Sequence, residues 1–396
     1  MISLVIPTYQ EADVIQGTLR RAAAALARTG EEFELIVVDD SGAETGDQTA
    51  SRAEALAPEL PVRVARRAGR QGLATAVVDG WKAARGDVWG VMDADLQHPP
   101  EVVVRLMQAL RRPGVDIALA SRYVKGGGSR DWSRRRRAVS WATTHLAACV
   151  LPWTLARVRD PMSGMFLVRA QVLDGVELNP LGYKILLEVL GRGHWRDLAE
   201  VPYGFERRGQ GHSKLGFRQS MEYLVHLVHL ARATGQLRTW IRYATVGVSG
   251  ALLDVGIFYL LVRDWGWHPI VALLAATELA LLSNFAWNQT LTFRRDLASG
   301  PALTGRSVLR TLLSYQRACL AGAFFNIAVT LGFVARGVTP ALAAALGVLA
   351  GGVWNLVFNV PRIWQAWSFP PSPPKDAPAG RPAVIPASPM PGKVKL

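Results

Sequence analysis

After residue 240 the chain changes character. Four apolar runs, Tyr243 to Val262, Pro269 to Asn288, Ala318 to Ala335 and Ala341 to Pro361, each come close to the ~20 residues a helix needs to cross a bilayer. Backbone polar groups find no water inside a bilayer, so such runs can only be helices. The loops within each pair of runs are short, Arg263 to His268 and Arg336 to Pro340. The central loop, Phe293 to Arg317, carries Arg294, Arg295, Arg306, Arg310 and Arg317, and the tail adds Arg362, Lys375, Arg381, Lys393 and Lys395. Positive charge collects on the cytoplasmic side, which predicts that this loop, the tail and the N-terminal part all lie there. The expectation is an all-α four-helix transmembrane domain over residues 241–367 and a disordered, proline-rich tail over 368–396.

This half also repeats itself. Tyr243 recurs as Tyr315, and Gly250-Ala251-Leu252-Leu253-Asp254 as Gly322-Ala323-Phe324-Phe325-Asn326, both 72 residues on; Asn284 and Asn288 recur as Asn355 and Asn359, 71 on. Two helical hairpins of like direction are predicted, related by an axis along the bilayer normal. Ala343, Gly347 and Gly351 suit close helix packing. Asp254 and Glu278 fall inside spans, where charge is costly. They read either as a polar path for a lipid phosphate or sugar, or as interhelical hydrogen-bonding groups.

The first 216 residues alternate short apolar runs with helical periodicity, beginning at Ile2 to Ile6, Phe33 to Val38, Val62 to Ala65 and Val88 to Met92. Pro7 is expected to end the first strand. The pattern predicts a β-α-β domain whose ligands sit beyond the carboxyl ends of the strands. Tyr9, Glu11, Asp39, Asp40, Asp93 and Asp95 all fall at such ends. No Gly-x-Gly-x-x-Gly follows the first strand and no P-loop motif occurs, so a nucleotide would rest on the Pro7-Thr8-Tyr9 turn and the Asp39 carboxylate. Asp93-Ala94-Asp95 places two hard oxygen donors beside each other, suited to Mg²⁺ or Mn²⁺ with substrate phosphates completing the shell, and Gln97 could add a third oxygen. The same spacing also occurs as ordinary turn chemistry.

From Ala120 the chain turns basic. Arg122 follows an apolar strand, so its planar fork would either grip phosphate or make a structural ion pair. Arg134 to Arg137 read as a solvated or head-group-facing patch. A helix within 134–156 is either amphipathic, lying against the membrane, or an ordinary core helix. Lys184, Arg208 and Lys214 stand beside glycine turns and read as phosphate contacts or as plain surface charges. Ser213 would add a hydroxyl, and the stretch from Phe205 to Lys214 reads as a mobile loop that closes over substrates. Residues 217–240 read as an interface helix with an apolar stripe at Met221, Leu224, Val225 and Val228, His226 and His229 lying off it.

The net charge of +14 admits nucleic acid as a partner, but the arginines lack the interleaved aromatics of a base-stacking surface; anionic lipid and a sugar nucleotide fit better. Cys149 and Cys319 stand far apart in apolar surroundings and imply no disulfide. The chain opens directly on a strand pattern, which favours a cytoplasmic first domain.

Pro7-Thr8-Tyr9-Gln10-Glu11, Val37-Val38-Asp39-Asp40-Ser41 and Asp93-Ala94-Asp95-Leu96-Gln97-His98-Pro99 together resemble a family 2 glycosyltransferase of the GT-A fold, and more closely the polyprenol-phosphate mannose synthases. Gly72 to Ala76, Ser121 to Tyr123, Asp160 to Phe166, Gly182 to Lys184 and Gly211 to Leu215 agree, so the resemblance runs through about residues 1–230. The membrane half resembles the GtrA-like domain found fused to such synthases. The resemblance implies a GT-A, Rossmann-like mixed sheet. It implies GDP-mannose as donor and a polyprenyl phosphate as acceptor. The nucleotide sugar would be held by Pro7, Tyr9, Glu11, Val38, Asp39, Asp93, Ala94, Asp95, Gln97, Arg122, Lys184, Arg208 and Lys214. Metal would be held by Asp93, Asp95 and Gln97, and the lipid phosphate by Arg122, Arg134, Ser213 and Lys214. Asp95, Arg122, Arg208 and Lys214 would carry catalysis. The loop after Asp40 departs from the family pattern. A UDP-glucose donor and a flippase role for the membrane half are the rival readings. A chain-extending synthase is disfavoured because no Gln-x-x-Arg-Trp segment is present.

Overall fold

A computed structural model describes residues 1–128, 132–205, 217–293 and 305–355. Seven strands, β1 (Ile2–Thr8), β2 (Phe33–Asp39), β3 (Val62–Arg66), β4 (Val88–Val91), β5 (Val115–Ser121), β6 (Phe166–Arg169) and β7 (Asp197–Pro202), form one sheet in the order β3-β2-β1-β4-β6-β5-β7. All pairs are parallel except those of β6, which runs antiparallel to both β4 and β5. The sheet is therefore mixed and GT-A-like.

The helices of this half are α1 (Ile15–Ala27), α2 (Thr49–Glu54), α3 (Leu73–Lys82), α4 (Val102–Leu110), α5 (Arg134–Val150), α6 (Pro152–Leu155) and α7 (Ile185–Arg192). Ile2, Leu4 and Ile6 of β1 pack with Leu19 and Leu26 of α1 and Leu106 of α4 on one face. Val5 of the same strand packs on the other face with Val77 and Trp81 of α3 and Leu187 of α7. Burial on both faces is why this strand reads as an unbroken apolar run.

Pro7 does not end β1: it pairs with Val38 and the strand continues to Thr8. Pairing with β4 stops at Val5, so beyond that point β1 has a neighbour on one side only, and the missing N–H of Pro7 leaves no gap in a ladder.

Three helices follow the sheet domain: α8 (Phe217–Ala233), α9 (Gln236–Arg263) and α10 (Pro269–Trp287). Gly235, at φ +74°, separates α8 from α9, so the 217–240 segment is two helices meeting at a left-handed residue. α8 has two apolar faces. Tyr223, Leu227, Leu230 and Ala231 are buried against the sheet domain, whereas Met221, Leu224, Val225 and Val228 point outward. His226 belongs to the buried face, where its Nε2 lies 2.9 Å from Glu188 of α7.

The last helices are α11 (Gly305–Val334) and α12 (Pro340–Trp354). Among the described residues, three helices are long and apolar enough to cross a membrane, over residues 236–263, 269–292 and 308–334. α12 has 15 described residues, and the remainder of the fourth apolar run lies outside them. The sequence repeat has a structural counterpart. A Cβ on Gly250 would collide with the Asn284 amide, and one on Gly322 with the Asn355 amide. Each hairpin is thus closed by the same glycine–asparagine contact. Ala272, Ala276 and Ala343 are fully buried along these seams. Replacing Gly322 with leucine is expected to force the hairpin apart, at a cost of about 1–3 kcal/mol, and to lower the thermal unfolding temperature of the detergent-purified protein. Asp254 accepts a hydrogen bond from Thr277 at 3.3 Å, and Glu278 one from Gln316 at 2.5 Å, so both acidic groups bond to a neighbouring helix.

The two halves are joined by side chains as well as chain. Trp240 donates to the Val150 carbonyl at 3.0 Å and Gln236 to Thr154 at 2.7 Å. Trp153, Trp240, Tyr243, Phe285, Phe293 and Tyr315 form a cluster at the seam.

Candidate active site at the carboxyl edge of the sheet

β1, β2, β4 and β5 run in the same direction, so the loops after them share one rim. Pro7 and Val38 are buried beneath it, and Tyr9 and Glu11 are half-buried on it. Asp39 Oδ1 accepts from the hydroxyls of Thr8 at 3.0 Å and Ser41 at 2.7 Å, while the Ser41 oxygen accepts from the Gln10 N–H at 2.9 Å. These bonds tie the first two loops together and hold Gln10 at φ +56°, a conformation unusual for a side-chain-bearing residue. Asp40 serves the scaffold instead. It accepts from the N–H groups of Gln71 and Gly72 and pairs with the buried Arg67 at 2.9 Å, fixing the loop after β3. That loop brings Arg70 over the Tyr9 ring at 4.7 Å, a rim residue the sequence patterns did not single out.

Asp93, Ala94 and Asp95 follow β4. Thr18 of α1 donates to the Ala94 carbonyl at 2.8 Å, and Asp95 Oδ1 accepts from the Gln97 N–H at 3.1 Å across a turn in which Leu96 adopts φ +58°. The Gln97 side chain is itself buried. The Asp93 carboxylate sits between His98, whose Nδ1 is 3.6 Å from Oδ2, and the bare Cα of Gly164. A Cβ on Gly164 would strike that carboxylate and approach His98 to 3.0 Å. Burial pushes the His98 imidazole down to about 4, so the ring is neutral at physiological pH despite the opposing field of Asp95. It stacks on Tyr203 at 5.2 Å.

These groups fit a divalent ion. Asp93 and Asp95 are hard oxygen donors on one loop. No cluster of three or more His, Cys, Asp or Glu converges among the described residues, so a bound ion would take its other ligands from phosphate oxygens or water, as Mg²⁺ sites commonly do.

Arg122, at the end of β5, is paired. Its Nε and Nη2 donate to the two carboxylate oxygens of Asp160 at 2.8 and 2.6 Å, and its backbone N–H donates to the same carboxylate at 2.9 Å. The Arg122 side chain is 8% exposed and that of Asp160 is not exposed. Burial opposes the guanidinium charge, but the bidentate bond to Asp160 outweighs it and raises the pKa further. Lys184, at the start of α7, donates to the Met162 carbonyl at 3.0 Å. Burial first, and the neighbouring Arg122 second, lower its ammonium to about 8.

Beyond Arg122 the site opens toward α5. Ser133 caps this helix, accepting from the Arg136 N–H at 3.2 Å, and that sets the helix phase. Arg134 lies exposed at the first turn, while Arg136 lies over the Trp132 ring at 4.3 Å. Arg136 rather than Arg134 is thus the residue the fold brings beside Arg122. Tyr123 and Ser140 share a hydrogen bond at 2.8 Å. Past them, Val139, Trp141 and Leu146 of α5 are exposed apolar groups. Arg208, Ser213 and Lys214 lie outside the described residues.

Residues 3–175 match the family described as glycosyl transferase family 2, and residues 242–364 the one described as GtrA/DPMS, transmembrane domain. A dolichol-phosphate mannosyltransferase of Pyrococcus furiosus is 38% identical over 92% of this chain and 99% of its own length. The dolichol-phosphate mannosyltransferase of Saccharomyces cerevisiae is 35% identical over 58% of this chain and 86% of its own, and an undecaprenyl-phosphate mannosyltransferase of Micrococcus luteus 33% over 53% and 86%. Among solved structures, glucosyl-3-phosphoglycerate synthase from Mycobacterium tuberculosis aligns with a TM-score of 0.46 and 22% identity, covering 59% of this chain and 80% of that one. The chain is a membrane-bound glycosyltransferase of family 2, belonging to its polyprenol-phosphate mannose synthase branch with a C-terminal GtrA-type membrane domain.

Proposed function

We propose that the protein transfers mannose from GDP-mannose to a polyprenyl phosphate at the cytoplasmic membrane face, with inversion at the sugar and dependence on a divalent metal. The observation that carries this reading is the meeting, on one rim, of the Asp93–Asp95 carboxylates with the Arg122, Lys184 and Arg136 cations, next to exposed apolar side chains of α5 and α8.

The nucleoside would lie across Tyr9, Glu11 and Asp39, on Pro7 and Val38. The donor diphosphate would meet Asp93, Ala94, Asp95 and Gln97, with Mg²⁺ or Mn²⁺ held there to offset the charge that develops on the departing nucleotide. Lys184 adds a cation to the same diphosphate, and Arg208 and Lys214 belong to this group by motif. The acceptor phosphate would be received by Arg122 and Arg136, with Arg134, Ser213 and Lys214 as further candidates. A phosphate monoester is largely anionic at neutral pH, so it needs placement for in-line attack rather than a general base. α5 and the outward face of α8 would rest on the bilayer, and the run through residue 361 would supply a fourth span, keeping both ends of the membrane half cytoplasmic.

Purified protein given GDP-[¹⁴C]mannose or UDP-[¹⁴C]glucose with a polyprenyl phosphate in vesicles is expected to label the lipid from the first donor. Preferential labelling from UDP-glucose contradicts the donor assignment.

Lys184 sets an alkaline limit. Its charged form persists below about 8 and is lost as pH rises through that value, so kcat/KM for the donor is expected to fall about tenfold per pH unit above it. In Lys184→Arg the alkaline fall is expected to disappear below pH 10; a pH profile identical to wild type would remove Lys184 from the diphosphate.

A further inference from the structure

One loop touches three of the charged groups on the rim. Residues 156–165 join α6 to β6. Along them the Asp160 carboxylate takes the Arg122 fork, and the Met162 carbonyl accepts from Lys184 at 3.0 Å. The bare Cα of Gly164 leaves room for the Asp93 carboxylate. The sheet order puts β5 between β6 and β7. The loop enters β6 at one end and is held by β7 at the other, so it crosses β5 beside Arg122. The hold on β7 is Glu200, half-buried and in register with Leu119 of β5. Its Oε1 alone accepts from the N–H groups of Arg159 at 2.8 Å and Asp160 at 3.0 Å. Pro161 comes next and has no N–H to offer.

We infer that Glu200 is a positioning residue for the acceptor side of the transfer: it fixes the backbone that carries Asp160, and through Asp160 it fixes Arg122. The Asp160 side chain is fully buried, and three bonds from Arg122 end on it, one of them from the Arg122 backbone. A bidentate fork is directional, so a displaced carboxylate carries the guanidinium with it. Bonds to a carboxylate are stronger than neutral ones, and two on one oxygen make a stiff anchor. The far end of the loop has its own support. The Ser163 hydroxyl donates to the Met165 carbonyl at 3.1 Å and accepts from the Met165 N–H at 3.2 Å, and the Ala120 N–H donates to the same carbonyl at 3.0 Å. Met162 and Gly164 flank Ser163, so losing Glu200 disturbs Arg122 more than it disturbs Lys184 or Asp93. Burial pushes the Glu200 carboxyl up against the pull of its two N–H bonds. A neutral side chain therefore suits the position as long as it keeps an oxygen in place.

This inference rests on the acceptor reading of Arg122, and a split between substrates tests it. Full-length wild type, E200A, E200Q and R122K are compared in vesicles for the KM of polyprenyl phosphate and for kcat. GDP affinity in the presence of Mn²⁺ is measured by calorimetry. E200A removes the accepting oxygen; E200Q keeps one and drops the charge. The expected result in E200A is an acceptor KM raised about tenfold, the scale of a misplaced binding group, with GDP affinity within about twofold of wild type. E200Q should recover most of the acceptor KM. An unchanged acceptor KM in E200A, an equal loss of GDP affinity, or no recovery in E200Q overturns the inference. R122K separates the two ways of failing. If it also leaves the acceptor KM unchanged, the acceptor reading of Arg122 has failed; if it alone raises that KM, the link through Glu200 has failed. If E200A does not fold, E200M keeps the bulk, lacks the oxygen and reads the same quantities. A wild type that prefers UDP-glucose overturns the donor assignment alone, and UDP then replaces GDP in the same comparison.

Discussion

Asp95→Ala is expected to lower turnover about a thousandfold while leaving the protein folded. The Asp95 carboxylate lies on a half-buried loop, outside the packed sheet faces, and accepts a local backbone bond from the Gln97 N–H. Its loss thus removes little of the core. On the proposed reading it removes negative charge facing the diphosphate, and with it the grip on a divalent ion that would offset the leaving group's charge. Deleting one preorganised electrostatic contact of this kind typically costs about 10²–10³ in rate. The control is GDP binding with and without Mn²⁺: wild type should bind GDP more tightly with the ion, and the variant should show no such gain. A variant that turns over at the wild-type rate would remove Asp95 from the metal site.

Asp160→Asn is expected to damage both stability and activity. Arg122 and Asp160 are buried together, so removing one charge strands the other away from water, a loss of about 3–5 kcal/mol for a pair of this kind. The amide can accept from one N–H of the fork but cannot match both. Thermal unfolding of the detergent-solubilised protein should show the loss. The double variant Arg122→Met with Asp160→Asn should recover part of the stability, because neither charge is then stranded, yet it should stay inactive for want of the guanidinium. If the double variant were as active as wild type, Arg122 would be a scaffold residue only.

These two residues mark the limit of what the sequence could reveal. Asp93 and Asp95 were legible because buried parallel strands are unbroken apolar runs, and the first polar residues beyond such a run stand at the rim. The partner of Arg122 was not legible: Asp160 lies 38 residues away, and only the antiparallel return through β6 brings it alongside. That strand direction is itself invisible in a four-residue strand whose three apolar residues, Phe166 to Val168, read the same either way. The choice of Arg136 within four consecutive arginines depends on helix phase, set by the cap at Ser133. On α8 the outward stripe was readable, but the second, buried face was not, since His226 counts as apolar surface only once Glu188 is there to satisfy it. In the membrane half, the glycine–asparagine contacts were foreshadowed by the repeat, because the same two residue types recur in both hairpins at spacings that differ by one residue. Trp132 gave no pattern of its own; a single aromatic residue in a loop acquires meaning from what surrounds it.

The most direct test of the chemistry is sugar transfer before and after exhaustive removal of divalent ions. Wild-type protein in vesicles with GDP-mannose and polyprenyl phosphate is treated with excess EDTA, then resupplied with Mn²⁺ or Mg²⁺. Transfer should stop on chelation and return on resupply, with no return in Asp95→Ala. Undiminished transfer by the chelated wild-type protein would contradict the assignment of Asp93 and Asp95 to a metal-held diphosphate.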